Sequence, residues 1–294
     1  MEFSYRKVVE NIKPQMVIEG AGVLLRRSFA PSRANLHDPF LLFDHFAFND
    51  PADAPAVGFP THPHRGIETV TYMLEGNVRH RDSLGNTGVI SAGDVQWMTS
   101  GSGILHEEIP QPSPSGVVNG FQLWVNLPAA EKMGQPRYQE VKQTEIPTYQ
   151  GEGVAIRVVA GDYQGTSGPV TEIAAQPLYL DVTLEAETEF ELPLPADHNL
   201  LVYVFDGEGL FGVDPAGQGE IVNEVRMLVL GEGSHFKVKS SPQQGVRFVL
   251  FAGSAFGEPI VPYGPFVMNT EAEIQQAFVD LRSGSFVQHE NMID

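Results

Sequence analysis

Glu68-Thr69-Val70-Thr71-Tyr72-Met73-Leu74 runs straight into Glu75-Gly76-Asn77, a turn by composition. Residues 79–82 then precede a second turn, Ser83-Leu84-Gly85-Asn86. Residues 87–91 lead to Ala92-Gly93-Asp94, and residues 95–99 follow. Short apolar or β-branched runs at this spacing, punctuated by Gly-rich turns, predict strands of a sandwich or barrel. Further strand candidates lie at residues 22–29, 40–48 and 120–127. With 30 Gly and 22 Pro in 294 residues, turns are abundant enough for an all-β chain.

A polar, Pro-containing stretch near residues 129–153 separates this half from a second one with the same grammar. Strand candidates there are residues 177–184, 190–194, 199–205, 225–230, 236–239 and 246–251. Thr71-Tyr72-Met73-Leu74-Glu75-Gly76 overlays Val202-Tyr203-Val204-Phe205-Asp206-Gly207, with Gly93 set against Gly231 less securely. This points to an internal duplication. One helix is signed near the end: Thr270 and Glu273 form a capping box, Ile274, Phe278 and Leu281 share a face, and Gly284 is a terminator. It is expected to pack on a barrel wall.

The charge balance narrows the function classes. Eighteen basic against 37 acidic residues give −19, which opposes binding to a polyanionic backbone. The basic clusters Arg26-Arg27 and Arg79-His80-Arg81 are too short to reverse that. There is no cysteine, so disulfides, thiolate metal sites and cysteine nucleophiles are excluded, in keeping with a cytoplasmic location. No apolar h-region follows Met1, and no run approaches the ~18 apolar residues of a membrane span.

The chemistry concentrates at His62-Pro63-His64 and His106-Glu107-Glu108. In an extended strand, residues two apart share a face. His62 and His64 therefore project together, as do His106 and Glu108. If the two strands face each other, three imidazoles and one carboxylate converge, a nitrogen and oxygen shell suited to a divalent transition metal. Glu68 keeps the parity of His62 and His64, so periodicity alone leaves Glu68 and Glu108 as rival carboxylates, the loser being a partner that orients a histidine. At the overlay offset, His62 and His64 fall on Pro193 and Pro195, and no His, Asp or Glu occurs from Phe236 to the glycine before Glu258. One copy is expected to bind metal and the other not.

Other residues read as structural. His37 and His80 are expected in turns or at the surface, and His45 as a hydrogen-bonded strand histidine. His198, His235 and His289 are isolated. Gly207, Gly209 and Gly212 lack the helix a nucleotide loop needs. Ser102 near His106 has no nucleophile elbow.

The signatures Thr61-His62-Pro63-His64-Arg65-Gly66-Ile67-Glu68-Thr69-Val70-Thr71-Tyr72, Gly93-Asp94-Val95-Gln96-Trp97-Met98-Thr99 and Gly103-Ile104-Leu105-His106-Glu107-Glu108 closely resemble those of the pirin family of bicupins. Gly257-Glu258-Pro259-Ile260 and Gly264-Pro265-Phe266-Val267-Met268-Asn269-Thr270 resemble the family's second domain. The resemblance implies two cupin-type β-barrels: residues 1–140 with the metal, and residues 141–294 without it, ending in the helix. It implies one metal, usually iron, here Fe2+, held by His62, His64, His106 and Glu108. Glu68 is then structural or an outer partner.

Family function is less uniform than family fold. The resemblance implies a quercetin 2,3-dioxygenase-like enzyme cleaving a flavonol or related enediol or catechol, with Glu108 as ligand and general base. Trp97 and Met98 are candidates for an apolar wall of its pocket. The alternative is a non-enzymatic, metal- or redox-responsive regulator that binds a protein partner. Direct nucleic-acid and membrane binding are not expected.

Overall fold

The computed structural model describes residues 4–49, 58–111 and 116–289, so Met1, Glu2 and Phe3 of the N-terminal reading lie outside the described residues. Among the described residues the chain is all-β apart from the helix Glu271–Ser283 and one 3-10 turn. It divides into two compact units, Gln15–Gln143 with Phe256–Asp294, and Met1–Pro14 with Thr144–Ala255. No helix among the described residues is long and apolar enough to cross a membrane.

This division corrects the linear one expected at residue 140, because each end of the chain joins the other half. Val8–Ile12 pairs antiparallel with Arg226–Leu230 and so extends a sheet of the later unit. The helix belongs to the earlier unit. Its buried Asp280 pairs with Arg65 (2.7 Å), and its apolar face packs on Phe266 and Met268 of the hairpin Val261–Tyr263/Phe266–Met268. The capping box at Thr270 and Glu273 and the left-handed Gly284 are present as expected.

In the unit containing the two histidine motifs, a seven-stranded sheet runs Arg137–Val141, Val95–Thr99, Ile67–Glu75, Val118–Asn126, Phe40–Asn49, Val23–Phe29, Gln15–Glu19. A four-stranded sheet runs Phe59–His64, Ile104–Gln111, Asn77–Asp82, Thr87–Ser91. Strand alternation aims Val23, Leu25, Phe46, Met73, Val78 and Val118 at one apolar core. The stretch read as a separator is not featureless. It supplies the edge strand Arg137–Val141 here and the edge strand Thr148–Gly151 of the other unit. Polar edge strands carry little hydrophobic alternation, which hid them.

The other unit repeats the plan. Its seven-stranded sheet runs Val8–Ile12, Arg226–Leu230, His198–Gly207, Val246–Ser254, Leu178–Leu184, Val154–Ala160, Thr148–Gly151, and its four-stranded sheet runs Glu189–Pro193, His235–Ser240, Gly209–Phe211, Glu220–Val222. Ile67–Glu75 and His198–Gly207 both stand third in their sheets, and each ends at a turn with a positive-φ glycine, Gly76 or Gly207. The overlay through these strands holds. The match of Gly93 to Gly231 does not, since Gly93 precedes its strand and Gly231 follows its own.

Candidate metal centre

Phe59–His64 and Ile104–Gln111 are antiparallel neighbours, with His106 across from His62 and Ile104 across from His64. The register slips between His106 and Glu108, so Glu108 stands across from Phe59. Such a bulge bends a strand and re-aims side chains. The result brings one ligand atom from each of His62, His64 and His106 within 4.8 Å of one another. Ring centroids lie 4.3 to 5.0 Å apart. Glu108 is outside that group, yet it is buried and lines the same cavity as His62 and His64. Its Oε1 accepts the Thr71 hydroxyl proton at 2.8 Å.

The hydrogen bonds decide which nitrogens face inward. His62 Nδ1 lies 2.9 Å from the Pro60 carbonyl and His64 Nδ1 lies 3.1 Å from the Pro265 carbonyl. A carbonyl only accepts, so both Nδ1 atoms carry the proton and both Nε2 atoms present lone pairs. Those lone pairs face each other at 3.1 Å. His106 is buried and neither ring nitrogen has a partner among the described residues. Buried polar atoms are rarely left so. Burial, then the neighbouring His62, pushes His64 down to about 3. Burial, then His64, His62 and His80, holds His106 well below its ordinary value. Imidazoles with converging ring nitrogens are a donor set that fits a divalent cation.

The elements behind the histidines hold them rigidly. Gly66 turns the chain between the two sheets with φ 79°, and a Cβ there would meet the Val267 carbonyl at 2.4 Å, so only glycine fits. The buried Lys132 ammonium donates to the carbonyls of Gly66 and Val267 (2.8 Å each) and to Asn126 Oδ1 (2.6 Å). Arg65 donates to the Ser102 carbonyl at 2.6 Å and lies over the Phe286 ring. No local pattern marks either role, since Arg65 acts through partners more than 30 residues away and Lys132 joins the nearby Asn126 to the distant Gly66 and Val267.

Glu68 corrects the parity argument. The Gly66 turn resets the alternation, so Thr69, Thr71 and Met73 face the apolar core and cavity while Glu68 projects from the opposite face. Its carboxylate accepts from Thr99 Oγ1 at 2.7 Å. Burial raises it to about 7, against the opposing pull of Thr99 and Trp97.

His80 overturns its surface reading. It is fully buried, stacks on Tyr138 (5.0 Å, 30°) and lies 5.5 Å from the His106 ring. His45 is a strand histidine bonded to Asn119 Oδ1 at 2.9 Å, as expected. His37 sits against Phe29, while His198, His235 and His289 join no ligand cluster among the described residues. Ser102 makes no bond to His106.

The histidines open on a cavity of about 440 Å³. Its apolar wall is Leu25, Leu42, Phe46, Phe59 and Trp124, and Trp97 and Met98 are core residues that do not line it. Trp124 meets His64 edge-on at 5.1 Å. The signal for this wall was present in the alternation of Gln122 and Trp124 along Val118–Asn126. Arg27 also lines the cavity, but Asp44 takes two of its donors (2.9 and 2.7 Å) and Glu19 a third (2.7 Å).

The family model described as Pirin matches residues 22–125, and that described as Pirin C-terminal cupin domain matches residues 179–287. A pirin-like protein of Caulobacter vibrioides is 43% identical over 283 residues, covering 96% of this chain and 99% of its own. Pirin of Homo sapiens is 42% identical over 282 residues, covering 95% and 93%. The crystal structure of quercetin 2,3-dioxygenase from Acinetobacter baumannii superposes with a TM-score of 0.86 at 34% identity, covering 96% of this chain and 99% of that one.

Proposed function

The chain belongs to the pirin family, and from that premise we propose that it is a metal-dependent dioxygenase cleaving a flavonol or related enediol or catechol. The observation that carries the reading is the meeting of three imidazoles beside a cavity of about 440 Å³ with an apolar wall. That volume is within the usual range for small-molecule sites. His62, His64 and His106 would hold the metal, with Glu108 as fourth ligand, and Fe2+ is the assignment we favour for this nitrogen and oxygen set. When bound, the cation lowers the pKa of a coordinated hydroxyl and offers open positions for dioxygen chemistry.

The chain's own groups do the rest. Trp124, Phe59 and Leu42 present flat apolar surface to an aromatic ring and exclude water from it. Thr71 donates to Glu108 Oε1 and fixes the carboxylate, which would exchange between holding the metal and taking the substrate hydroxyl proton. Among the described residues Arg27 is the one Lys or Arg lining the cavity, and two carboxylates pair with it, so that apart from the metal no cationic side chain there is left to recognise an acidic substrate. A neutral polyphenol therefore suits the cavity better than a carboxylic acid.

The test is oxygen uptake by anaerobically metal-loaded protein given quercetin or catechol, with elemental analysis of protein purified without added metal. Uptake that depends on the metal supports the reading. If no flavonol or catechol elicits uptake from the loaded protein, the metal-responsive regulator becomes the better account.

A further inference from the structure

Three ring nitrogens around the centre lack partners among the described residues: both of His106 and Nδ1 of His80. Both rings are buried, and their centroids are 5.5 Å apart. A metal facing the other two histidines accounts for one His106 nitrogen. The second His106 nitrogen and His80 Nδ1 remain.

The surroundings of His80 decide what its Nδ1 offers. Its Nε2 lies 3.2 Å from Asp82 Oδ2. A carboxylate accepts, so Nε2 carries the proton and a neutral His80 presents a bare Nδ1. Asp82 itself is fixed by the backbone N–H groups of Leu84 (2.9 Å) and Asn86 (3.0 Å) and by Asn86 Nδ2 (2.8 Å). Stacking on Tyr138 fixes the plane of the imidazole, and the Tyr138 hydroxyl is held by Gln96 (3.2 Å) and Glu140 (2.7 Å). His80, Asp82 and His106 come from paired strands, with Asp82 across from His106 and His80 across from Glu108.

We propose that His80, anchored by Asp82, is a positioning residue: its Nδ1 accepts the hydrogen bond of the His106 ring nitrogen that faces away from the centre, directly or through one water. The chain Asp82–His80–His106 then sets the tautomer and plane of the third imidazole, as the Pro60 and Pro265 carbonyls do for His62 and His64. The inference rests on the metal reading above. Gln96 Oε1, on the strand Val95–Thr99 of the seven-stranded sheet, also lacks a partner among the described residues and is the competing acceptor.

The experiment loads the full chain with Co2+ and follows visible absorption and the hyperfine-shifted imidazole N–H protons by NMR. Wild type should bind one Co2+ and show three such protons, the His106 proton exchanging slowly because it is buried and bonded. His80→Phe keeps the stacking surface and removes the acceptor. It should weaken Co2+ binding by about 10–100-fold and speed exchange of that one proton, with the other two and the circular dichroism unchanged. His80→Gln, which retains an acceptor, should restore part of both and moves the His106 signal even if the phenylalanine variant fails to fold. Wild-type affinity and exchange in the folded His80→Phe protein would overturn the proposal, as would an unmoved signal in His80→Gln, or loss of the slow proton in Gln96→Leu instead. A wild type that binds no Co2+ would remove the metal reading as well.

Discussion

The two units share one plan of seven- and four-stranded sheets, and one cross-strand pair separates their chemistry. In the earlier unit His62 stands across from His106. In the later one Leu192 stands across from Phe236. The interior of the later unit is closed by Phe190, Phe211, Phe236 and Phe248, none more than 3% exposed, with Leu192 and Leu194 among them. The equivalent region of the earlier unit keeps a cavity walled on one side by histidines. A barrel interior can be filled for stability or left open for chemistry, and the same strand order serves both. The overlay had set His62 and His64 against Pro193 and Pro195. The residues that point inward are Leu192 and Leu194, one position earlier, because a one-residue slip exchanges the faces of a strand. The outcome for chemistry is unchanged, since neither pair carries a ligand.

The most severe way to break this contrast is to count metal. His62→Ala, His64→Ala and His106→Ala should each lower affinity by more than the ~10–100-fold that losing an outer partner costs, because each removes a donor outright. Metal analysis should find one atom per wild-type chain. Stoichiometric metal in all three variants, or a second atom held within residues 144–255, would remove the asymmetry between the units.

Packing provides the next test. Phe236→Ala should destabilise the protein by ~3–5 kcal/mol, the cost of an aromatic-sized void in a closed core. Trp124→Ala, at the half-buried wall of the cavity, should cost only about 1 kcal/mol and act mainly on substrate KM. Denaturant unfolding of both variants checks the order, and a reversed order would mean the cavity wall is the structural core.

Glu108→Gln should reduce turnover by ~100-fold or more while metal binding falls modestly, since the amide oxygen still coordinates but cannot take a proton. Glu68→Gln should leave turnover near wild type. Should Glu68→Gln prove the more damaging in oxygen-uptake kinetics, the two carboxylates have exchanged roles.

The smallest effect is a pH dependence. Burial raises Glu68 to about 7 in the folded chain, so the folded state holds that proton more tightly than the unfolded one. Its contribution is fully present below the ordinary carboxylate range and is lost as pH rises toward 7. The stability of wild type relative to Glu68→Gln should therefore fall between pH 5 and 8, by on the order of 1–2 kcal/mol. Thermal unfolding across that range measures it, and a pH-independent difference would contradict the raised value.

The sequence by itself determined a great deal here. Alternation and Gly-rich turns are local properties, so the all-β class, most central strands, the capped helix and the gathering of His62, His64 and His106 were all legible. The duplicated strand was legible too, because Gly76 and Gly207 each sit where a Cβ would meet a facing carbonyl, at 2.3 and 2.1 Å, and leave a fixed mark in the sequence. Tertiary structure decided the remainder. Polar edge strands such as Arg137–Val141 have no hydrophobic signature until a neighbour pairs with them. Parity does not carry through a turn, which is why Glu68 faces away from the cavity while Thr71 reaches Glu108. His80 looked like one more charged-cluster residue between two arginines, and only the pairing of its strand with that of His106 buries it beside the centre. Arg65 and Lys132 acquire their roles from a hairpin and helix far along the chain. Periodicity reports which face a side chain takes on its own strand. Which strands face each other, and what each face finds there, depends on contacts between residues remote in sequence, and those exist only in the folded chain.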